Sequence, residues 1–292
     1  MSERRAHRYR VVDVFTATPL EGNPVAVFPS SAELDPQIMQ AIARELNLAE
    51  TVFVCPPTRA GCAVRLRIFT PAREMDFAGH PTIGTSWVLR EEGIVARDAE
   101  RFLLDERVGA IPIRIESGTP ALIWLTTPQV RRGPTYDPAL CARLIGLDPG
   151  ELLAAPPQWL SAGNPIAMIG VKNPAAVDRA ALDLAGQHAL QGADGAPVCG
   201  YVFAPSGDGA YGRMFAPSLG VPEDPATGSA MGPLAVFMMQ HGLIAAGARF
   251  LCEQGTKMGR RSILHVQTGD ADGSAIEVGG SVVPVIEAGL TV

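Results

Sequence analysis

Apolar residues along this chain come mostly in short bursts of alternating or near-continuous β-branched and aromatic side chains. They are "YRVVDVFTA" at 9–17, "PVAVF" at 24–28, "TVFVC" at 51–55, "AVRLRIF" at 63–69, "AIPIRIE" at 110–116 and "ALIWLTT" at 121–127, then "PIAMIGV" at 165–171, "VCGYVFA" at 198–204, "AYGRMFA" at 210–216, "ILHVQT" at 263–268 and "AIEVGGSVVPVIEAG" at 275–289. Such bursts predict strands. Helical periodicity marks residues 36–46 and 137–146 as outer helices. Two further helices begin after Gly79 and Gly228, and each meets a stopping glycine, Gly93 and Gly242, 13 residues after His80 and Ser229 respectively. Ile83, Trp87, Val88 and Val95 in the first, and Leu234, Phe237, Met238 and Leu243 in the second, make both too apolar for a surface position.

The pattern also repeats. "GNPVAV" at 22–27 returns as "GNPIAM" 141 residues later, "RIFTP" at 67–71 as "RMFAP" after 146, and "AGHPTIG" at 78–84 as "TGSAMGP" after 149. Three collinear matches centred on half of 292 residues predict two homologous halves. The expected fold is α+β: two pseudo-symmetric halves, each a curled, barrel-like sheet around one central helix. The N-terminal half spans 1–130, completed by a C-terminal strand at about 281–292, and the second spans 131–280. The join falls in "TPQVRRGPTYDP", which reads as a linker, with the active site expected in the cleft between the halves.

Composition narrows the function. A formal charge of −6 without a dense basic block argues against nucleic acid as a partner. No apolar run reaches the roughly 18–20 residues needed to span a bilayer, and the basic start is not followed by an export-type apolar segment, so no membrane is expected and the cytoplasm is the default. Five scattered cysteines, without ligand spacing, read as reduced and mostly buried.

Candidate chemistry gathers at the two central helix starts. Each carries unpaired backbone N–H groups and about half a positive charge, which suits a small anion such as a carboxylate. Gly79 and Gly228 let the backbone approach such a ligand, and His80 and Ser229 hold equivalent positions. Asp76 and Asp224 lie four and five residues ahead of them and admit three roles: acid/base groups, metal ligands or helix caps. Glu74 and Asp76 are expected to shape and cap the approach to the first helix. Glu50, in "LNLAETVFV", is either an exposed loop residue or a desolvated carboxyl suited to proton transfer, and the corresponding place in the second half, around "LQGADGA", has no matching Glu.

Together, "GNPVAVF", "LNLAETVFV", "RIFTP-x3-MDFAGHPTIGT" and "EDPATGSAMGPL" resemble the PhzF-like family, named for the phenazine-biosynthesis isomerase, which shares the two-half architecture of diaminopimelate epimerase. The resemblance covers nearly the whole chain. It implies that Glu50 is the catalytic acid/base, that His80 and Asp224 support it, and that Gly79, Gly228 and Ser229 bind substrate. It further implies an isomerase moving a proton between carbons of a small carboxylate resembling trans-2,3-dihydro-3-hydroxyanthranilate, with neither metal nor organic cofactor, in a homodimer. Two-base epimerases of this fold place Cys before each helix-start glycine; Ala78 and Thr227 stand there, which excludes the two-thiol mechanism. Two other readings are a small-carboxylate binding or regulatory protein without turnover, and a metal-dependent hydrolase using His80, Asp76 and Asp224.

Overall fold

Branched and aromatic side chains at adjoining positions fit a pleated, half-buried surface better than a helix, and the apolar bursts fold as strands accordingly. The computed structural model describes residues 5–292 except 184, 185, 187, 188, 193, 194, 196, 197, 208 and 271. The chain forms two units: residues up to Thr126 with Gly279–Val292, and Thr127–Val278. Among the described residues no helix is long and apolar enough to cross a membrane.

The first unit runs β1 (Ala6–Val14), β2 (Asn23–Phe28), α1 (Pro36–Leu46), β3 (Glu50–Cys55), β4 (Val64–Phe69), β5 (Glu74–Met75), α2 (Gly79–Glu91), β6 (Arg101–Glu106), β7 (Gly109–Glu116) and β8 (Leu122–Thr126). The C-terminal strand Val282–Thr291 pairs antiparallel with β1 from Ala6↔Thr291 to Val14↔Val282. From β1 the ladder passes antiparallel to β2, parallel to β3, antiparallel to β4, parallel to β6, then antiparallel to β7 and β8. Each parallel step needs a crossover, and α1 and α2 supply them. Asp35 caps α1 by accepting the Gln37 N–H at 2.8 Å, and Asn47 ends it in the left-handed region. The helix buries Met39, Ile42 and Ala43 against Phe28, Phe53 and Phe69. Because α2 packs on β1 and β2 near one end of the strand order and on β8 at the other, the sheet curls around it. Burying Ile83, Val88 and Leu89 there contributes roughly 1.5–3 kcal/mol each.

The second unit repeats this scheme with β9 (Arg131–Thr135) and α3 (Pro138–Leu144) in front, then β10 (Gln158–Ser161), β11 (Pro165–Gly170), α4 (Pro174–Arg179), β12 (Cys199–Ser206), β13 (Gly209–Ala216), β14 (Val221–Asp224), α5 (Gly228–Gln240), β15 (Arg249–Gln254) and β16 (Ser262–Gln267). Its ladder is antiparallel β10–β11, parallel β11–β12, antiparallel β12–β13, parallel β13–β15 and antiparallel β15–β16. This is the order of β1–β2–β3–β4–β6–β7, with α5 in the place of α2. α5 is buried from Gly228 through Met238, as a helix apolar on every side must be.

Several sequence expectations need correction. The stretch read as a linker contains β9, which pairs with β10 through Ser161↔Arg131 and Leu160↔Arg132. Its side chains are mostly exposed and it contains Gly133 and Pro134, so no apolar alternation marks it. Gly133 is needed because a Cβ there would lie 2.5 Å from the Trp159 ring. Strands β6, "RFLLDE", and β15, "RFLCEQ", were missed because acidic and amide residues close both. Val95 and Leu243 lie beyond α2 and α5, and Leu243 is 37% exposed. The counterpart of Glu50 was sought in "LQGADGA", of which 193, 194 and 196 lie outside the described residues. Ladder register places it elsewhere: Val25 of the first Gly-Asn-Pro repeat pairs with Glu50, and the equivalent Ile166 pairs with Cys199.

Candidate active site

The repeated Gly-Asn-Pro turns build each site from below. Gly22 has φ +67°, and a Cβ on it would sit 2.3 Å from the Val14 carbonyl oxygen, so only glycine makes this turn. The turn delivers Asn23, fully buried, beneath the start of α2, where its side-chain Nδ2 lies 3.1 Å from Nδ1 of His80. An amide that donates to Nδ1 leaves the proton of a neutral imidazole on Nε2, and one that turns its oxygen there places it on Nδ1. Nε2 lies 3.5 Å from Glu50 Oε2, within ion-pair reach but without hydrogen-bond geometry. Burial pushes the His80 pKa down to about 3, and a hydrogen bond to the Pro24 carbonyl opposes this only in part. His80 is therefore a neutral imidazole beside Glu50. Glu50 opens β3 with its side chain 14% exposed, between solvent and core.

In the second unit Gly163, at φ +99°, delivers Asn164, whose Nδ2 donates to Ser229 Oγ at 3.5 Å. Asn164 and Ser229 thus repeat Asn23 and His80. Asp224 closes β14 and accepts a 2.5 Å hydrogen bond from the Thr227 hydroxyl. Gln254, fully buried, locks this corner. Its Oε1 accepts from the Thr227 N–H at 3.2 Å and from the Tyr201 hydroxyl at 3.1 Å, while its Nε2 donates to the Asp224 carbonyl at 2.7 Å.

The structure brings Glu50 and His80 together, and places Asp224, Gly228 and Ser229 along one short segment. Asp76 does not join them: its side chain is 62% exposed and ion-paired to Arg107 at 3.2 Å. Nor do Glu74 and Asp76 cap α2, whose N-cap position is Ala78 with no side-chain hydrogen bond. Glu74 instead receives a two-pronged fork from Arg67, with both bonds at 2.8 Å. Among the described residues no group of three or more His, Cys, Asp or Glu is placed to hold a metal ion. Sequence reading missed Asn23, Asn164, Thr227 and Gln254. The signal for the asparagines was present, since the repeat that revealed the two halves contains them.

The same arrangement of strands and central helices is found among known proteins. The model of the phenazine biosynthesis-like family, PhzC-PhzF, matches residues 12–288, and the chain belongs to that family. The trans-2,3-dihydro-3-hydroxyanthranilate isomerase of Pseudomonas aeruginosa is 37% identical over 281 residues, covering 94% of this chain and 96% of that protein. With such relatives matched over nearly their whole length, the chain is an isomerase. Among solved structures, a predicted epimerase from P. aeruginosa superposes with a TM-score of 0.83 at 34% identity, over 97% of this chain and 99% of that one. A hydroxyproline epimerase from Agrobacterium vitis shares the fold alone, with a TM-score of 0.70 at 12% identity over 100% and 94% of the two chains.

Proposed function

We propose that the protein is a cofactor-independent isomerase that moves a proton between carbons of a small cyclic carboxylate resembling trans-2,3-dihydro-3-hydroxyanthranilate, with Glu50 as the proton carrier. The observation that carries this reading is the 3.5 Å approach of Glu50 Oε2 to Nε2 of a buried, neutral His80. A neutral imidazole N–H can steady the carboxylate between removal and return of the proton without competing for it. Gly79 and Gly228 offer first-turn amides, which have no acceptor within their own helix, and with Ser229 they bind the substrate carboxylate. Asp224, kept in place by Thr227 and Gln254, holds an amino or hydroxyl substituent. The 37% identity to an enzyme named for this reaction supports the substrate class.

The test follows solvent deuterium into trans-2,3-dihydro-3-hydroxyanthranilate with wild type and Glu50→Gln. Wild type should incorporate label and form product, and the variant should lose both by roughly 10²–10⁴-fold while folding normally. Exchange that survives the substitution unchanged rules Glu50 out.

A further inference from the structure

Beneath α2 lies a buried carboxyl that the proposed reaction does not use. Glu106 ends β6, is 1% exposed, and its Oε1 is 2.5 Å from the Thr82 hydroxyl oxygen. The same hydroxyl is 2.6 Å from the Ala78 carbonyl. A hydroxyl has one proton and a carbonyl can only accept, so the proton of Thr82 goes to Ala78. The second short oxygen-to-oxygen contact then needs a proton of its own, and only the carboxyl can supply it. Glu106 Oε2 is buried without a hydrogen-bond partner, a position tolerable for a neutral carbonyl oxygen and costly for half of a carboxylate.

The second unit answers what this group is for. "RFLLDE" of β6 and "RFLCEQ" of β15 occupy the same place in the two ladders, which makes Gln254 the counterpart of Glu106. Gln254 accepts the backbone N–H of Thr227, the residue before Gly228; Glu106 accepts that of Ala78, the residue before Gly79. One unit uses an amide, which cannot ionise, where the other uses a carboxyl. We propose that Glu106 is a positioning residue, protonated at neutral pH, that fixes the start of α2, and with it Gly79 and His80, as Gln254 fixes the start of α5.

The surroundings favour the neutral form. Asp105, next on the strand, is the charge that bears on Glu106, and it raises the cost of ionising it. The guanidinium of Arg59 is engaged by the Asp105 carboxylate and the Glu106 backbone carbonyl. On α2, His80 is neutral, and beyond the helix start Arg107 pairs with Glu74 and Asp76. Burial, opposed in part by the Ala78 N–H, pushes the Glu106 pKa up to about 8.

This inference does not depend on the proposed reaction, and infrared spectroscopy with thermal unfolding tests it. Wild type at pH 7 should show a protonated-carboxyl carbonyl band that bleaches with a midpoint near pH 8 and is missing from Glu106→Gln. A folded chain that keeps its carboxyl proton to higher pH than the unfolded chain loses stability as pH rises between the two pKa values. The wild-type Tm should therefore fall relative to that of Glu106→Gln from pH 5 to pH 8, whereas Glu106→Ala should melt lower than Glu106→Gln throughout. If Glu106→Gln does not fold, the wild-type band alone decides. Absence of the band at pH 7, or parallel Tm curves for wild type and Glu106→Gln, overturns the proposal.

Discussion

Asn23 faces His80: its amide nitrogen lies 3.1 Å from Nδ1, and an amide donating there leaves the imidazole proton on Nε2, the nitrogen 3.5 Å from Glu50 Oε2. Asn23→Asp presents an acceptor of the same shape, which draws the proton to Nδ1 and turns a lone pair toward the Glu50 carboxylate. The expected result is a fall in proton transfer of roughly 10²–10⁴-fold, the range that acid/base positioning supplies. Substrate KM should change less than kcat, because the groups assigned to the carboxylate are untouched. Steady-state kinetics of the two forms check this, and an unchanged kcat would show that the tautomer does not matter.

His80 also leaves a mark on stability. Its folded pKa of about 3 lies below the ordinary 6.5, so between those values the unfolded chain binds a proton that the folded chain refuses. The contribution of His80 is therefore complete above pH 6.5 and declines as pH falls toward 3, by roughly 3 kcal/mol at pH 4. Urea midpoints from pH 7 to pH 4 should fall less steeply for His80→Asn than for wild type. Equal slopes would mean that the imidazole takes up its proton without cost to the fold.

The repeated Arg-Glu forks invite a double-mutant cycle. Arg67 meets Glu74, and Arg213 meets Glu223, each through two bonds at 2.8 Å with both side chains under 20% exposed. Each fork ties down the short strand that leads into a central helix. Arg5 and Glu33, by contrast, pair at about 70% exposure. Coupling from Arg67→Met with Glu74→Leu should be about 1–3 kcal/mol, against at most about 1 for the Arg5–Glu33 pair. Arg67→Lys should recover little of it, since an ammonium cannot span both oxygens. Urea unfolding of the single and double variants measures both couplings.

Much of this was legible in the sequence because pseudo-symmetry writes each structural need twice. The Gly-Asn-Pro turns, the Arg of "RIF" and "RMF", and the helix-start glycines recur at nearly constant spacing, since each serves the same backbone geometry in its unit. What escaped was polar and buried. Glu106 and Gln254 end strands that do not read as strands, because a buried carboxyl and a buried amide are recognisable only through their partners, Thr82, Ala78 and Thr227. Cys199 stands where Glu50 stands, but hydrophobicity cannot show a register set by the pairing of β11 with β12. Asp76 misled for the opposite reason: spacing ahead of a helix suggests a cap, while the N-cap position falls to Ala78, in extended backbone, and the Asp76 side chain pairs with Arg107.

Gly84, in the middle of α2, separates helix propensity from packing. Exchanging it for alanine in an open helix would stabilise by about 1 kcal/mol. Here a Cβ would come within 2.7 Å of Val25 Cγ1, 2.9 Å of Val14 Cγ2 and 3.1 Å of Val12 Cγ2. These are stiff β-branched side chains on β1 and β2, with no rotamer to retreat to, and overpacking of this kind costs roughly 1–3 kcal/mol. Gly84→Ala should therefore lower the Tm. Gly232→Ala in α5 meets the Thr127 hydroxyl at 3.1 Å and Val130 at 3.3 Å, a milder crowding that propensity offsets, and should leave the Tm nearly unchanged. Relief of the clash in the first variant pushes α2 away from β2, and His80 in its first turn moves from Asn23 and Glu50. Deuterium exchange should consequently fall in Gly84→Ala and persist in Gly232→Ala. A Gly84→Ala protein with an unchanged or higher Tm would mean that α2 is not seated on β1 and β2 as tightly as the valine contacts require.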